Sequence, residues 1–106
     1  MAARTSRKFD CLPALKALGE EHRLRIIRLL IKKERSVNEI VSALKETQYN
    51  VSKHLKVLRD ASLVEVTKQG QQRLYSLVPD FRSHLDANAN VLDLGCCQFH
   101  FDKLPK

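Results

Sequence analysis

The chain has 106 residues, of which 43% are hydrophobic and 29% are charged, a balance typical of a folded globular protein and not of a disordered segment. Its net charge is +7, distributed as +6 over residues 1–35, +2 over residues 36–79 and −1 over residues 80–106. This distribution favours a polyanionic partner, although an acidic membrane surface or an acidic protein would suit the charge nearly as well. The sequence has neither an apolar run of the roughly 20 residues that cross a bilayer nor a hydrophobic leader, so we expect a cytoplasmic protein that does not contact membranes.

We expect a single domain that begins with a basic arm and two helices. Residues 1–9 form the arm, and residues 10–35 contain helices from Asp10 to Leu18 and from about Glu20 to Lys33. Glutamates at the start of the second helix and lysines at its end complement the helix dipole. The apolar residues of this helix recur at helical spacing, which predicts a broad buried face without a catalytic role.

Residues 36–60 are predicted to form two short helices around a tight turn. Ser36 is a suitable N-cap, and Glu39 three residues later can complete a capping box. Thr47 is a second candidate N-cap. Apolar residues at helical spacing predict the inward faces, and these are Val37, Ile40, Val41, Leu44, Val51, Leu55 and Leu58.

The outward face of the second of these helices is polar. It carries amides, hydroxyls and lysines near a helix N-terminus, which suit the base edges and phosphates of DNA. The residues are Gln48, Tyr49, Asn50, Ser52, Lys53 and Lys56. The solvated face of an ordinary helical hairpin has a similar composition, and helical spacing alone does not separate the two interpretations.

The spacing of apolar residues changes from helical to alternating over residues 63–78, which predicts a β-hairpin. The segment Lys68-Gln69-Gly70-Gln71 supplies the turn, and Arg73 follows it. A basic hairpin directly after a helix-turn-helix is the arrangement of a winged helix. In that arrangement the hairpin can hold phosphates beside the helix that enters the groove.

Residues 80–106 are predicted to contain a last helix and a tail. The helix runs from Asp80 to about Asn90, with Phe81 and Leu85 facing inward, although asparagine is a poor helix former. The tail, residues 91–106, is too apolar to remain exposed. We therefore expect it to pack on its own core or on a second subunit.

Three segments carry a resemblance to a known family: LKALGEEHRLRIIRLL at 15–30, VSKHLKVLRDASLVEV at 51–66 and GQQRLYSL at 70–77. In order and spacing they resemble the ArsR/SmtB family of winged-helix transcription regulators. The resemblance implies a mainly α fold with a β-hairpin, a winged helix-turn-helix, and a homodimer formed through the first and last helices. It also implies repression at an inverted-repeat operator in double-stranded DNA, relieved by a metal ion, a metalloid or an oxidant.

The resemblance also implies where DNA is bound, namely the second helix of the pair and the wing. The predicted DNA-binding residues are Thr47, Gln48, Tyr49, Asn50, Ser52, Lys53, His54, Lys56, Lys68, Gln71 and Arg73. His54 lies in the family's Ser-x-His-Leu run. We expect it to fix the helix by a hydrogen bond or to face a phosphate, rather than to bind a metal.

Two sensor sites of the family are missing or incomplete in this sequence. Arsenic-responsive members carry Cys-x-Cys at the start of the first helix of the pair, where residues 36–40 contain no cysteine. Zinc-responsive members use Asp and His on the last helix. Asp80, His84 and Asp86 are candidate ligands here, but the family's second pair is not evident, so zinc is the less favoured effector.

Cys96 and Cys97 are the most distinctive chemical feature of the chain. Adjacent thiols can chelate trivalent arsenic or antimony, and Cys11 of a second subunit could supply a third thiolate if the first and last elements meet at the dimer interface. Cys11 could instead form a disulfide with one of the pair under oxidation. In a third interpretation, all three cysteines are small buried hydrophobes.

The segment VLDLGCC at 91–97 resembles the start of a methyltransferase cofactor loop. Only eleven residues follow Gly95, too few for the βαβ unit of about 30 residues that such a loop needs, so we predict no enzyme. The predicted function is that of a sequence-specific DNA-binding regulator, a homodimeric repressor. The alternative is a winged-helix module whose basic face binds an acidic protein.

Overall fold

Residues 11–86 and 90–104 are described in the computed structural model of the protein, so the predicted arm at residues 1–9 lies outside the described residues. The helices are α1 (Cys11–Leu18), α2 (Glu21–Lys32), α3 (Val37–Leu44), α4 (Gln48–Asp60) and α5 (Pro79–Arg82). The strands are β1 (Arg35–Ser36), β2 (Val64–Gln69), β3 (Gln72–Leu77), β4 (Val91–Asp93) and β5 (Gln98–His100), and a 3₁₀ turn spans Phe101–Lys103. The predicted mainly helical fold with a β-hairpin wing is confirmed.

The helix-turn-helix, α3 and α4, forms through the caps that the sequence predicts. Ser36 Oγ accepts a hydrogen bond from the Glu39 amide at 3.2 Å, and Glu39 Oε1 accepts one from the Ser36 amide at 2.8 Å, which completes the capping box of α3. Lys45 ends α3 in the left-handed region, with φ of 57°. Thr47 Oγ1 then caps α4 by accepting a hydrogen bond from the Asn50 amide at 3.1 Å.

A three-stranded antiparallel sheet in the order β1-β3-β2 packs beside α2, α3 and α4. Its strands β2 and β3 form the wing, and their two-residue loop, Gly70-Gln71, places Gly70 at a φ of 60°, where glycine is favoured. The short strand β1 was not predicted. It pairs with Tyr75 and Leu74 of β3, and a strand of two residues is too short to show an alternating pattern.

The core lies between the helical layer and this sheet, and it extends to the C-terminal segment. The apolar faces predicted for α2 and α4 are buried, and their spacing explains why both helices pack inward. The fully buried large side chains are Leu18, Ile26, Ile27, Leu30, Ile40, Val51, Leu55, Leu58, Leu63, Phe81 and Leu92.

The helix predicted from Asp80 to Asn90 is wrong for residues 83–86, because α5 ends at Arg82 after four residues, and residues 87–89 lie outside the described residues. The Asp86 side chain gives a physical reason, because its Oδ1 accepts hydrogen bonds from the amides of Asn90 at 2.8 Å and Val91 at 3.2 Å. These local bonds favour a turn over a helix. Leu85, predicted on the helix, instead forms an isolated β-bridge with Leu92.

The tail folds as a second hairpin, β4 and β5, on the core of its own chain. Leu92, Leu94 and Phe101 are buried there, which decides between the two packing arrangements that the sequence left open. The guanidinium of Arg28 on α2 donates a hydrogen bond to the Phe101 carbonyl at 3.4 Å. In the described part of the chain, the segment after the wing is therefore mainly a hairpin rather than a long helix.

Candidate nucleic-acid interface

The N-terminal half of α4 presents most of its predicted DNA-binding residues to solvent. The exposed ones are Thr47, Gln48, Tyr49, Ser52, Lys53 and Lys56. Tyr49 is 72% exposed, and the Lys53 ammonium lies 5.4 Å from the centre of its ring. This cation–π contact holds a positive charge beside an aromatic face. The surface thus combines amide, hydroxyl, ammonium and aromatic groups at a helix N-terminus.

Asn50 differs from these residues because it is half-buried and its side chain is hydrogen-bonded within the protein. Its Nδ2 donates a hydrogen bond to Glu46 Oε1 at 2.9 Å, and the same oxygen accepts a hydrogen bond from the Thr47 amide at 3.1 Å. These hydrogen bonds lower the pKa of Glu46, because they stabilise its charged form. Glu46 therefore orders the first turn of α4.

His54 is held against α2 in a polar cluster that we call the α2–α4 junction, formed by Glu20, His22, Arg23, Glu46 and His54. The rings of His22 and His54 stack with centroids 5.4 Å apart and planes 7° from parallel. His54 Nδ1 lies 3.3 Å from the Arg23 guanidinium. His54 is thus partly buried between α4 and α2, where it contacts Arg23 and His22.

Glu20 is the N-cap of α2 and the centre of the junction. Its Oε1 accepts a hydrogen bond from the Arg23 amide at 3.1 Å, and its Oε2 lies 3.0 Å from His22 Nδ1. Burial alone would raise the pKa of Glu20, but the hydrogen bonds from His22 and Arg23 lower it. The Arg23 Nε also donates to the Ala17 carbonyl, which joins the junction to α1.

The pKa values of the two histidines of the junction are shifted in opposite directions. The hydrogen bond to Glu20 raises the pKa of His22, and the Glu46 carboxylate, 3.3 Å from His22 Nε2, acts in the same direction. Burial lowers the pKa of His54. Relative to a free imidazole, the structure therefore favours the charged form of His22 and the neutral form of His54.

The wing carries the other predicted phosphate contacts. Lys68 of β2 and Arg73 of β3 are cross-strand partners, and Gln71 lies at the turn between the strands. All three are exposed. The hairpin register thus places two cations opposite each other next to the turn.

Cys11 and Cys96 form a disulfide within the chain, with their Cα atoms 6.5 Å apart. The Cys97 Sγ lies 3.8 Å from the Cys96 Sγ. The three cysteines predicted as a sensor therefore converge, and Cys11 pairs with Cys96 of its own chain, whereas the metalloid site considered from the sequence took Cys11 from a second subunit. The disulfide fastens the start of α1 to the loop between β4 and β5.

The zinc ligands proposed from the sequence do not converge. Within residues 11–86 and 90–104, the one group of three metal-ligating side chains is Glu20, His22 and His54. Asp80, His84 and Asp86 do not form such a group, and α5, the helix predicted to hold them, ends before His84.

Sequence reasoning missed Glu46 and the α2–α4 junction. Glu46 directly precedes the N-cap Thr47, and an acidic residue at that position is a weak local signal. The junction has almost no sequence signal, because His54 lies 32 residues after His22 and only the packing of α2 on α4 brings them together.

Comparison with known proteins matches residues 18–67 to a family described as "Helix-turn-helix domain". The chain is 38% identical over 79 residues to the HTH-type transcriptional repressor SmtB of Mycobacterium tuberculosis. This match covers 73% of the chain and 58% of the repressor, so the chain spans less than two thirds of that relative.

The arsenical resistance operon repressor of Staphylococcus xylosus is 31% identical over 85 residues, which cover 77% of the chain and 82% of that repressor. The chain belongs to the ArsR/SmtB family. A solved structure of an ArsR-family candidate, the homodimeric winged helix-turn-helix DNA-binding domain of Mb0332 from Mycobacterium bovis, aligns with a TM-score of 0.62 at 30% identity. That alignment covers 72% of the chain and 68% of the Mb0332 domain.

Members of the ArsR/SmtB family found in these comparisons are transcription regulators and not enzymes. Residues 91–97, where the sequence resembles the start of a methyltransferase cofactor loop, form strand β4 and the loop of a hairpin. Among the helices described for this ArsR/SmtB-family chain, none is long and apolar enough to cross a membrane.

Proposed function

We propose that the chain is a homodimeric repressor that binds an inverted-repeat operator and leaves it when a thiol-directed signal reaches its cysteines. The observation that carries the DNA-binding part is the exposed polar face at the N-terminus of α4, supported from behind by Glu46 and the α2–α4 junction. We take residues 1–106 to act as one winged-helix unit in the cytoplasm, where DNA is accessible.

The exposed face of α4 suits the major groove because its side chains can hydrogen-bond to base edges. Side-chain amides such as that of Gln48 can form paired hydrogen bonds with adenine, and a lysine such as Lys53 can donate to guanine or to phosphate. Thr47 and Ser52 add hydroxyl donors near the helix N-terminus, which itself favours phosphate. We therefore assign sequence preference to the exposed residues of α4.

The wing suits the phosphate backbone. Lys68 and Arg73 are exposed, lie opposite each other and have no described acidic partner in an ion pair. Contacts of this kind position a protein on DNA without specifying sequence. We therefore assign salt-dependent affinity to the wing.

The dimer interface is proposed on α1. Leu12 is 60% exposed and Leu15 is 37% exposed, so α1 offers an apolar surface that the rest of the described chain does not cover. The Mb0332 domain, which aligns with 72% of this chain, is homodimeric. The dimer interface was predicted to include a last helix. We propose that the β4–β5 hairpin, which the disulfide joins to α1, takes that place in the interface.

The oxidant or metalloid acts at the Cys11–Cys96 disulfide and the neighbouring Cys97. Oxidation of the Cys11 and Cys96 thiols by hydrogen peroxide forms one S–S bond and two molecules of water. In the reduced chain, Cys11, Cys96 and Cys97 are instead available as three thiolates for trivalent arsenic or antimony. Either event changes the link between α1 and the C-terminal hairpin, and so the separation of the two α4 helices, which must match one turn of DNA, about 34 to 36 Å.

Fluorescence anisotropy on a duplex from upstream of the protein's own gene tests this proposal. Reduced protein should bind tightly, and titration with peroxide or with trivalent arsenic should release it. Cys96→Ser should abolish both responses, whereas Cys97→Ser should abolish only the response to arsenic. Tight DNA binding that neither peroxide nor arsenic changes would contradict the proposed cysteine sensor. Absence of tight DNA binding would contradict the proposed role as a repressor.

A further inference from the structure

Glu20, His22 and His54 bring one potential ligand atom each to within 4.8 Å of one another. They come from the N-cap of α2, the first turn of α2 and the middle of α4, so the packing of these helices creates the group. Glu20 Oε1 lies 3.9 Å from His54 Nδ1, and Glu20 Oε2 lies 3.0 Å from His22 Nδ1.

We propose that Glu20, His22 and His54 form a site for a divalent cation of the zinc type. Two imidazoles and one carboxylate, with water as the fourth ligand, are a donor set that zinc accepts in proteins. Ligands of tetrahedral zinc, bonded at about 2.0 to 2.1 Å, lie about 3.4 Å apart. The three side chains are partly exposed. Binding requires the two imidazoles, which now stack face to face, to turn out of the stack so that one nitrogen of each points at a common ion.

The second ring nitrogen of His22 has the partner that a metal-binding histidine usually has. With Nδ1 directed to the metal, Nε2 donates its hydrogen to Glu46 Oε2, 3.3 Å away. A carboxylate behind the ligand fixes the tautomer and orientation of the ring and makes the imidazole a better ligand. The present contact therefore already has the form of an outer-shell interaction.

Room for the fourth ligand comes from the cleft beside the group. The cleft has a volume of about 320 Å³ and is lined by His22, Arg23, Glu46, Asn50, Lys53, His54 and Val57. Water can reach the ion through this opening. The site is therefore an open one, in contrast to the closed four-ligand sites that serve structure alone.

The guanidinium of Arg23 competes with a metal ion for His54 Nδ1. Its guanidinium lies 3.3 Å from His54 Nδ1, where it occupies the lone pair that the metal takes. Metal binding therefore displaces that end of Arg23 and replaces its hydrogen bond with a coordinate bond. The charge of Glu20, supported by Glu46, offsets the repulsion between the cation and the displaced guanidinium.

The site is separate from the cysteines and from the zinc ligands that the sequence suggested at Asp80, His84 and Asp86. It contains no sulfur, and it joins α2 to α4. Glu46, its outer carboxylate, also holds Asn50 and the Thr47 amide at the start of α4. If the proposed DNA-binding function is correct, occupancy of the site will alter operator affinity through α4, but binding of the metal itself does not depend on that function.

The test is binding of zinc and cobalt to the disulfide-bonded full chain carrying Cys97→Ser, in which no cysteine thiolate competes for the ion. The variants His22→Gln, His54→Gln and the matched control His100→Gln are made in this background. Zinc affinity is measured by competition with a chromophoric chelator, and cobalt binding by its visible spectrum. His100 is exposed on β5 and outside the group, so its replacement should leave affinity unchanged. Circular dichroism and thermal melting verify that each variant is folded.

We expect one ion per chain, with a cobalt spectrum that has ligand-field bands but no thiolate charge-transfer band. Each of the two junction variants should lose more than the 10- to 100-fold in affinity that is roughly typical of an outer-shell change, and Glu46→Gln should lose about tenfold. Absence of saturable binding would overturn the proposal. So would binding that persists unchanged in His22→Gln and His54→Gln, since the ion would then lie elsewhere.

Discussion

The helix-turn-helix and the C-terminal segment differ in what determines their structure. In the former, each boundary is set by neighbours in sequence, such as Ser36 with Glu39 and Thr47 with Asn50. In the latter, a helix of four residues gives way to a hairpin that is held by contacts distant in sequence, including Arg28 with Phe101 and Cys11 with Cys96. The half proposed to bind DNA is thus locally specified, and the half proposed to sense signals depends on partners far along the chain.

Truncation of one buried leucine in each region tests whether the two regions share one core. Leu55 of α4 and Leu92 of β4 are both almost fully buried. We expect Leu55→Ala and Leu92→Ala each to lower the free energy of unfolding by about 2–5 kcal/mol, because each leaves a cavity. Urea unfolding at fixed protein concentration measures this. If Leu92→Ala left the main transition unchanged, the C-terminal hairpin would not belong to the common core.

Reduction of the disulfide should weaken the distant contacts and spare the local ones. Cys11 and Cys96 are 85 residues apart in sequence, and a cross-link over so long a loop typically stabilises a protein by about 2–4 kcal/mol. Urea unfolding with and without reductant should show this difference in the wild type and in Cys97→Ser, but not in Cys96→Ser. An equal response of all three proteins would exclude the Cys11–Cys96 pairing.

Replacement of single DNA-contacting residues should separate the role of α4 from that of the wing. Gln48→Ala should cost about 1–3 kcal/mol on the operator and little on other sequences, because it removes a base contact. Lys68→Ala should weaken binding to all sequences and reduce the salt slope by about 1. Anisotropy at several salt concentrations measures both. Loss of affinity for one sequence alone in Lys68→Ala would contradict the assignment of the wing to phosphate.

Removal of the N-cap of α3 should have the smallest of these effects on free energy, because it deletes one hydrogen bond between neighbours in sequence. Ser36→Ala deletes the acceptor for the Glu39 amide and should cost about 1 kcal/mol of stability. The control is Ser42→Ala, an exposed position inside the same helix, which should be neutral or slightly stabilising. Equal thermal midpoints for the two variants would show that the capping box does not stabilise the fold.

The sequence was sufficient to predict α2, α3, α4 and the wing because their signals are local. Apolar residues at helical spacing, two side-chain caps and a glycine turn act within a few residues of each other, and the structure contains all of them. The exposed face of α4 follows from the same periodicity, since an inward set at Val51, Leu55 and Leu58 leaves the other side to solvent.

The C-terminal hairpin and the α2–α4 junction could not be predicted in this way. Helical spacing of Phe81 and Leu85 suggested a helix, but the Asp86 carboxylate satisfies backbone amides locally and Leu92 is drawn into the core. His22 and His54 meet only after α2 packs on α4. The burial of Leu92 and the contact between the two histidines depend on the completed fold, so local sequence patterns do not predict them.

The most direct test of the central claim, that the exposed face of α4 recognises a DNA sequence, compares an operator duplex with a scrambled duplex of equal length and composition. Anisotropy of the reduced protein at several salt concentrations should show binding to the operator that is tighter by about 10³ or more, and this preference should persist as salt lowers both affinities. Equal affinity for the two duplexes, together with tighter binding to an acidic polypeptide, would contradict the claim and would favour a protein-binding winged helix.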